Sequence, residues 1–510
     1  MGKEGTTRVK KSFLNAISNS AIIIIRAVLL FVVRIVFVKT LGVIYLGVDS
    51  LFTNILLVLS IADFGVSTAI NFSLYKPLAD KDYNKVSALM TFYKKIYRIF
   101  GLIVLGVGLL FIPALNFIIH DNVPNLYLYY LIYLGTVVIT YFISYKDTLL
   151  TADQNLYKSS IIVGSTYIVM YLLRILFLIV LPSFLIFALI QLVMIIIQRI
   201  LVNRYITKKY YYVDFNFSEK ITKNEEKTIF KNIKAMFINK IGNFLVSGTD
   251  NIIISALPAL GLTTVAIYTN YYSVVGTVDT IIGKGLAGVT SSFGDLAVNE
   301  SKKVQENVFD IIAFISFVIF GFFAVGFLFL LTPLIKICFG SSFEVTTSVL
   351  ILICINFYLL GIIRPLDVIK EATGNYYQDR YVNLIQAGVN IILSIILGIK
   401  YGLLGVVMAT MISIIILPLW NRPYIAYKYI FNKKPFIFYL KQLMYLIILL
   451  IISIVLYFVL SKVVISNLII SFFIKGIIIT IIYFILISIF FFNTKEYKFF
   501  IELLLKKKKA

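Results

Sequence analysis

Seven charged side chains stand inside stretches that are otherwise Ile, Leu, Val and Phe, and these are the residues best placed to do chemistry. Arg26 and Arg34 lie in "AIIIIRAVLLFVVRIVF", Asp63 in "LSIADFGVS", Arg174 in "YLLRILF", Asp250 in "VSGTDNIII", and Asp279 with Lys284 in "VDTIIGKGL". A charge near the centre of a bilayer costs roughly 2.5–3.5 kcal/mol on insertion scales, so each needs a compensating interaction. Arg26 and Arg34 are eight residues apart, about two helical turns, and share broadly one side of a helix. One reading makes Arg26, Arg34, Arg174 and Lys284 the lining of a water-filled cationic cavity, with Asp63, Asp250 and Asp279 as charge partners or protonatable coupling sites. The competing reading is pairing across helices, or snorkelling for Arg34 near its helix end. Lys284 sits between Gly283 and Gly285, which suggests a flexible or broken helix there. A diphosphate, with two to three charges, is the kind of group that several Arg and Lys donors meet well. Arg364, Asp367 and Lys370, at i, i+3 spacing, read as a surface ion ladder. Lys475 reads as snorkelling, and His120 in the polar "HDNVPN" is given no role.

The elements that carry these charges follow from composition. Of 510 residues, 60% are hydrophobic and 14% charged, with a mean hydropathy of +0.96. Soluble domains are about 45–50% apolar and about 25% charged. The apolar runs are continuous rather than alternating, which excludes a β-barrel. The chain is expected to be an all-α polytopic membrane protein. Fourteen spans are expected near 14–38, 49–72, 94–118, 126–149, 159–181, 183–203, 236–258, 263–293, 308–333, 346–369, 381–399, 402–420, 440–461 and 468–492; each is near the 20 residues that cross a bilayer. With both termini inside, 37 of the 47 Lys and Arg fall on the inner side, and Lys39, Lys336, Lys400 and Lys462 on the outer side. That asymmetry places both termini in the cytoplasm. The net charge of +23 is thereby read as contact with anionic membrane lipids, not nucleic acid.

A polar stretch is written twice. "KDTLLTADQNLY" carries Asp147, Ala152, Asn155 and Tyr157, and "LDVIKEATGNYY" carries Asp367, Ala372, Asn375 and Tyr377, all offset by 220. Gly101, Gly106 and Pro113 recur as Gly321, Gly326 and Pro333 at the same offset. The matches are collinear, so the chain reads as two parallel six-helix repeats plus a C-terminal helix pair. The segments are 1–206 (N-lobe), 207–234 (basic linker with an interfacial amphipathic helix carrying Ile221, Ile229 and Ile233), 235–435 (C-lobe) and 436–510. Asp147, Asn155, Tyr157, Asp367, Asn375 and Tyr377 then belong to matching inner turns, structural or part of an inner gate.

Several functions are disfavoured. No G-x-x-x-x-G-K-[ST] loop occurs, which argues against a self-contained ATP-driven pump. Cys338 and Cys354 have no metal or redox spacing. The start "MGKEGTTRVKKSFLN" lacks a cleavable signal pattern, and its fit to a myristoylation signal is set aside because the chain needs no further anchor. No outer loop exceeds about a dozen residues, and no nucleophile–base pair stands out. The reading is a transporter, not an enzyme, with no cofactor and with H⁺ or Na⁺ as the coupling-ion alternatives.

The basic start, the arginines of the first span, "TLGVIYLGVDSLFTNILLVLSIADFGVSTAINFSLYKPLADKD" and "GTDNIIISALPALGLTTVAIYTNYY" resemble the polysaccharide-transporter branch of the multidrug/oligosaccharidyl-lipid/polysaccharide exporter superfamily, the bacterial oligosaccharide-repeat-unit flippases. The resemblance runs through essentially the whole chain. It implies a two-lobed, V-shaped fold in the bacterial plasma membrane, acting as a monomer. It implies alternating access that carries an undecaprenyl-diphosphate-linked oligosaccharide from the inner to the outer leaflet, for capsule, exopolysaccharide or O-antigen, beside polysaccharide polymerase or export machinery. Related readings are a peptidoglycan-precursor flippase, a drug exporter of the same superfamily, or a membrane-embedded polysaccharide-assembly enzyme. Asp250 stands where some relatives carry a basic residue.

Overall fold

Uninterrupted apolar sequence leaves the backbone one way to satisfy its N–H and C=O groups inside a bilayer, and the chain takes it throughout. A computed structural model describes residues 22, 24–60, 71, 73–153, 156–374 and 381–505. Of the described residues, 87% are helical. Ten helices among the described residues are long and apolar enough to cross a membrane, and Val43–Leu59 is a shorter apolar helix. The chain divides into two compact units, Met1–Ala266 and Ile267–Ala510.

In the first unit, α1 (24–41) and α2 (Val43–Leu59) are followed by a helix at 73–79 and then by α3 (Tyr83–Leu110), whose first turn is capped by Asp82 accepting from the Lys85 amide. Next come α4 (Leu126–Ser144), a one-turn α5 (Asp147–Ala152), α6 (Leu156–Val180) and α7 (Phe184–Lys209). The helix α4 packs against α3 and α7, and α6 against α7. Within the basic linker, a helix begins at Lys223. The linker's residues 213–217 lie along α3, with the Asp214 amide donating to Ser87 Oγ and the Phe217 amide to Thr91 Oγ1. Helix α8 (Lys223–Gly248) then starts at a capping box of Thr222 and Glu225 and continues directly into the seventh expected span. Ile229 and Ile233 are buried, so their spacing reflects packing within the protein. Helices α8 and α9 (Asp250–Ala256) both pack on α2.

The second unit holds most of α10 (Gly261–Asn299), then α11 (Lys302–Phe339), α12 (Thr347–Thr373), α13 (Val382–Tyr401), α14 (Leu403–Ile416), α15 (Pro418–Ile425), α16 (Phe436–Ser461), α17 (Leu468–Phe491) and α18 (Lys495–Leu505). Helix α10 is unbroken through Gly283 and Gly285. Without water to compete for its backbone groups, the glycines carry no break. The hairpin α13–α14 turns on Gly402 at φ +60°, and Gly405 would put a Cβ 1.9 Å from the Leu397 carbonyl oxygen. Only glycine allows that approach.

The two written-alike polar stretches differ in conformation. Asp147 opens the separate helix α5 after a turn at Tyr145–Lys146, whereas Asp367 lies inside α12, which runs on through Pro365 to Thr373. Gly101 and Gly321 also diverge in use. A Cβ at Gly101 would meet Tyr141 of α4, while one at Gly321 would meet Tyr483 and Leu449 of the C-terminal pair.

Candidate functional site

The intramembrane arginines of the first unit converge. Helix α1 is held against α6 by Gly164, where a Cβ would fall 2.5 Å from Ile22. One turn on along each helix, Arg26 lies over the Tyr167 ring at 3.7 Å and acts electrostatically on Tyr171. Further along α1, Phe37 packs on Phe187 and Phe184 of α7, with centroids 4.7 and 6.0 Å away. That anchor sets Arg34, which is 9% exposed and donates to Ser50 Oγ of α2 at 3.3 Å. Asp49 is adjacent and acts on Arg34 electrostatically. Asp49 also accepts a short hydrogen bond from Tyr133 of α4. Arg174 of α6 in turn acts electrostatically on Tyr133.

Arg174 is 4% exposed. Its Nε and Nη2 donate to the Phe187 carbonyl at 3.3 and 3.2 Å, its Nη2 to Gln191 Oε1 at 2.5 Å, and its guanidinium lies 3.6 Å over the Phe187 ring. Three guanidiniums and one carboxylate, with a summed charge of +2, are thus electrostatically linked through the tyrosines between them. Each arginine–ring contact of this kind contributes about 0.5–2 kcal/mol, more where water is excluded. Arg174 is the scaffold member, with its donors used by backbone and Gln191. Arg26 is half-buried and is the arginine most open to a ligand. The residues passed over in the sequence are Asp49, Tyr133, Tyr167, Tyr171 and Gln191. Tyr167, Tyr171 and Arg174 sit at i, i+4 and i+7, a one-face spacing that points to the cluster.

The other expected residues are placed differently. Asp250 is 5% exposed, in the first turn of α9. Asp279 binds Arg364 across α10 and α12 at 2.6 Å. Arg364 therefore does not join the ladder expected along α12. Asp367 instead contacts Arg422 of α15, and Lys370 lies 3.5 Å from Asp367. The guanidinium of Arg422 also donates to Asn383 Oδ1 at 2.9 Å. Helix α12 turns these two charges toward different neighbours because i and i+3 point about 60° apart. Lys284 is exposed on α10. Asp147 pairs with Arg199 of α7 at 2.9 Å. So the carboxylate of each duplicated stretch is bound by an arginine near the end of its own repeat. Asp63, Asn155, Asn375 and Tyr377, and the side chain of Tyr157, lie outside the described residues. His120 Nε2 lies 3.4 Å from the Ala256 carbonyl oxygen.

The second unit contains an apolar cleft of about 480 Å³ between α11 and α17, bounded by Phe322, Phe323, Phe327, Phe472, Phe473 and Gly476.

No known family profile matches the sequence, and no curated protein matches it. Solved structures do match in fold. The chain is similar to the lipid II flippase MurJ in an inward closed conformation, with 20% identity, a TM-score of 0.69, and coverage of 94% of this chain and 99% of that one. It is similar to an inward-facing multidrug resistance MATE family transporter of the MOP superfamily, with 15% identity, TM-score 0.64, and coverage of 81% and 98%. It is similar to the Vibrio cholerae MATE transporter VcmN in its bent form, with 15% identity, TM-score 0.55, and coverage of 83% and 98%. The protein is thus a multi-pass, all-α membrane protein with the fold that MurJ and the MATE transporters share.

Proposed function

We propose that this protein is a flippase that moves an undecaprenyl-diphosphate-linked oligosaccharide repeat unit from the inner to the outer leaflet of the bacterial plasma membrane, with both termini cytoplasmic. The observation that carries the reading is the buried arginine–tyrosine cluster of the first unit, with net charge +2 and Arg26 as its open member. A diphosphate supplies the missing negative charge, and tyrosine rings and hydroxyls suit a sugar's faces and hydroxyls. The apolar cleft of the second unit supports the same reading, since a lipid-linked cargo needs a place for hydrocarbon. Alternating access would carry the cargo, and H⁺ or Na⁺ coupling through the intramembrane carboxylates is part of the proposal.

A second reading has its own support. The MurJ match covers 94% of this chain, against 81–83% for the two MATE transporters. A peptidoglycan-precursor flippase would use the same lipid-diphosphate chemistry. Deleting the gene and locating the accumulated lipid decides between them. Build-up of a repeat-unit lipid on the cytoplasmic leaflet supports the first, build-up of the peptidoglycan precursor supports the second, and neither accumulating rejects both. In complementation, Arg26→Ala should abolish cargo transfer at an unchanged level of membrane protein. Normal transfer by that variant rejects the cluster as the site.

A further inference from the structure

A second cationic cluster lies at the basic end of the first unit, away from the arginine–tyrosine site. Lys146, in the turn between α4 and α5, exposes only 9% of its surface. Its ammonium donates to Thr207 Oγ1 at 2.9 Å and stands 4.0 Å over the Phe215 ring. Burial, and then the ammonium of Lys94, push Lys146 below the ordinary lysine value. Lys94 of α3 donates to Asn216 Oδ1 at 2.5 Å. Arg98, one turn along α3, is exposed and bears electrostatically on both Lys94 and Tyr145. The nearby carboxylate is Asp214, whose Oδ1 already accepts the Asn216 amide at 2.9 Å. Of the neighbouring basic residues, Arg199 is paired with Asp147 and Lys209 with Asp153. Three cations and one carboxylate leave a net charge of +2, in a place where a lysine is nine-tenths buried.

The surroundings of Arg98 identify the ligand's remainder. The same face of α3 continues into Leu102, 58% exposed, with Ile99 and Ile103 beside it, each nearly half exposed. A phosphate held at Lys94, Arg98 and Lys146 would have hydrocarbon against that stripe. Basic pockets between spans at the positive side of a membrane are suited to acidic headgroups. The geometry points to a binding site for the phosphate of an anionic phospholipid, formed by Lys94, Arg98 and Lys146 against the linker segment 213–217. The occupant ties the linker to α3 and α7 by satisfying the three cations at once, so it stabilises the docked linker.

The test uses the full chain in vesicles of phosphatidylcholine with and without phosphatidylglycerol, read by lipid retention in native mass spectrometry and by thermal unfolding. The expected result is retention of phosphatidylglycerol that falls about fivefold for Arg98→Gln, the size of about one near-surface charge. The control Lys95→Gln removes an equal charge from the exposed neighbour on α3 and should retain the lipid. Lys146→Gln should behave like Arg98→Gln, and the exposed Arg98 variant stands alone if the buried one fails to fold. Equal retention by Arg98→Gln and Lys95→Gln overturns the site as general charge attraction. Inorganic phosphate in phosphatidylcholine vesicles should raise the unfolding temperature little. If it matches phosphatidylglycerol, the lipid assignment is overturned in favour of a soluble anion.

Discussion

The duplicated aspartates allow one perturbation to be made twice in the same molecule. Asp367→Asn removes the charge facing Arg422, whose side chain is 7% exposed, from a carboxylate that is 24% exposed. Asp147→Asn does the same to Arg199, in a pair that is 18% and 36% exposed. Stripping one partner from a buried pair costs about 3–5 kcal/mol because the other charge is left uncompensated. Arg422 keeps its 2.9 Å bond to Asn383 and can still donate to the new amide oxygen, so the low end, about 3 kcal/mol, applies. The Asp147 pair opens more to solvent, and its value is about 1 kcal/mol or less. At roughly 2–4 °C per kcal/mol for a unit of this size, Asp367→Asn should lower the unfolding midpoint by on the order of 10 °C and Asp147→Asn by a few degrees. Thermal unfolding of the purified variants in one detergent measures both, with Arg422→Met/Asp367→Asn closing a cycle that recovers part of the loss. If Asp147→Asn proves as damaging as Asp367→Asn, burial does not govern these pairs and the reasoning fails.

Other outcomes follow from single contacts. Gly47→Ala would place a Cβ 2.2 Å from the Leu262 carbonyl oxygen, while Gly106→Ala meets nothing within 4 Å. Backbone must move in the first case alone, so folded yield should fall for Gly47→Ala and hold, or rise slightly by helix propensity, for Gly106→Ala. Comparable yields would refute the close approach. Glu225 is held below the usual carboxylate value, first by its hydrogen bond from Lys85 and then by Thr222. A depressed folded value means the stabilisation is present above the unfolded value near about 4.3 and is lost as pH falls through the folded one. With side chains 29% and 39% exposed, the pair contributes about 1 kcal/mol or less. Protection of the amides at the start of α8 in hydrogen exchange should therefore decline below about pH 4, and Glu225→Gln should remove that dependence. A decline unchanged by that substitution assigns it to another group.

Much of the molecule is legible without coordinates. Continuous apolar runs can satisfy their backbone in a membrane only as helices, so class and most helix positions follow from hydropathy alone. The arginines of α1 and α6 are equally visible, because a charge in such a run is costly wherever it faces. Which partner each charge takes is a different kind of fact. Arg364 reaches Asp279 rather than Asp367, and Arg174 turns to a carbonyl and a ring. Nothing local distinguishes these outcomes, since the partners are 13 to 85 residues away. The clearest case is the stretch written twice. Its repetition reads in sequence as a duplication, yet Asp147 opens a new helix and Asp367 sits within a long one. Both aspartates are held by an arginine, yet the backbone around them differs, because it is settled by how the surrounding helices pack.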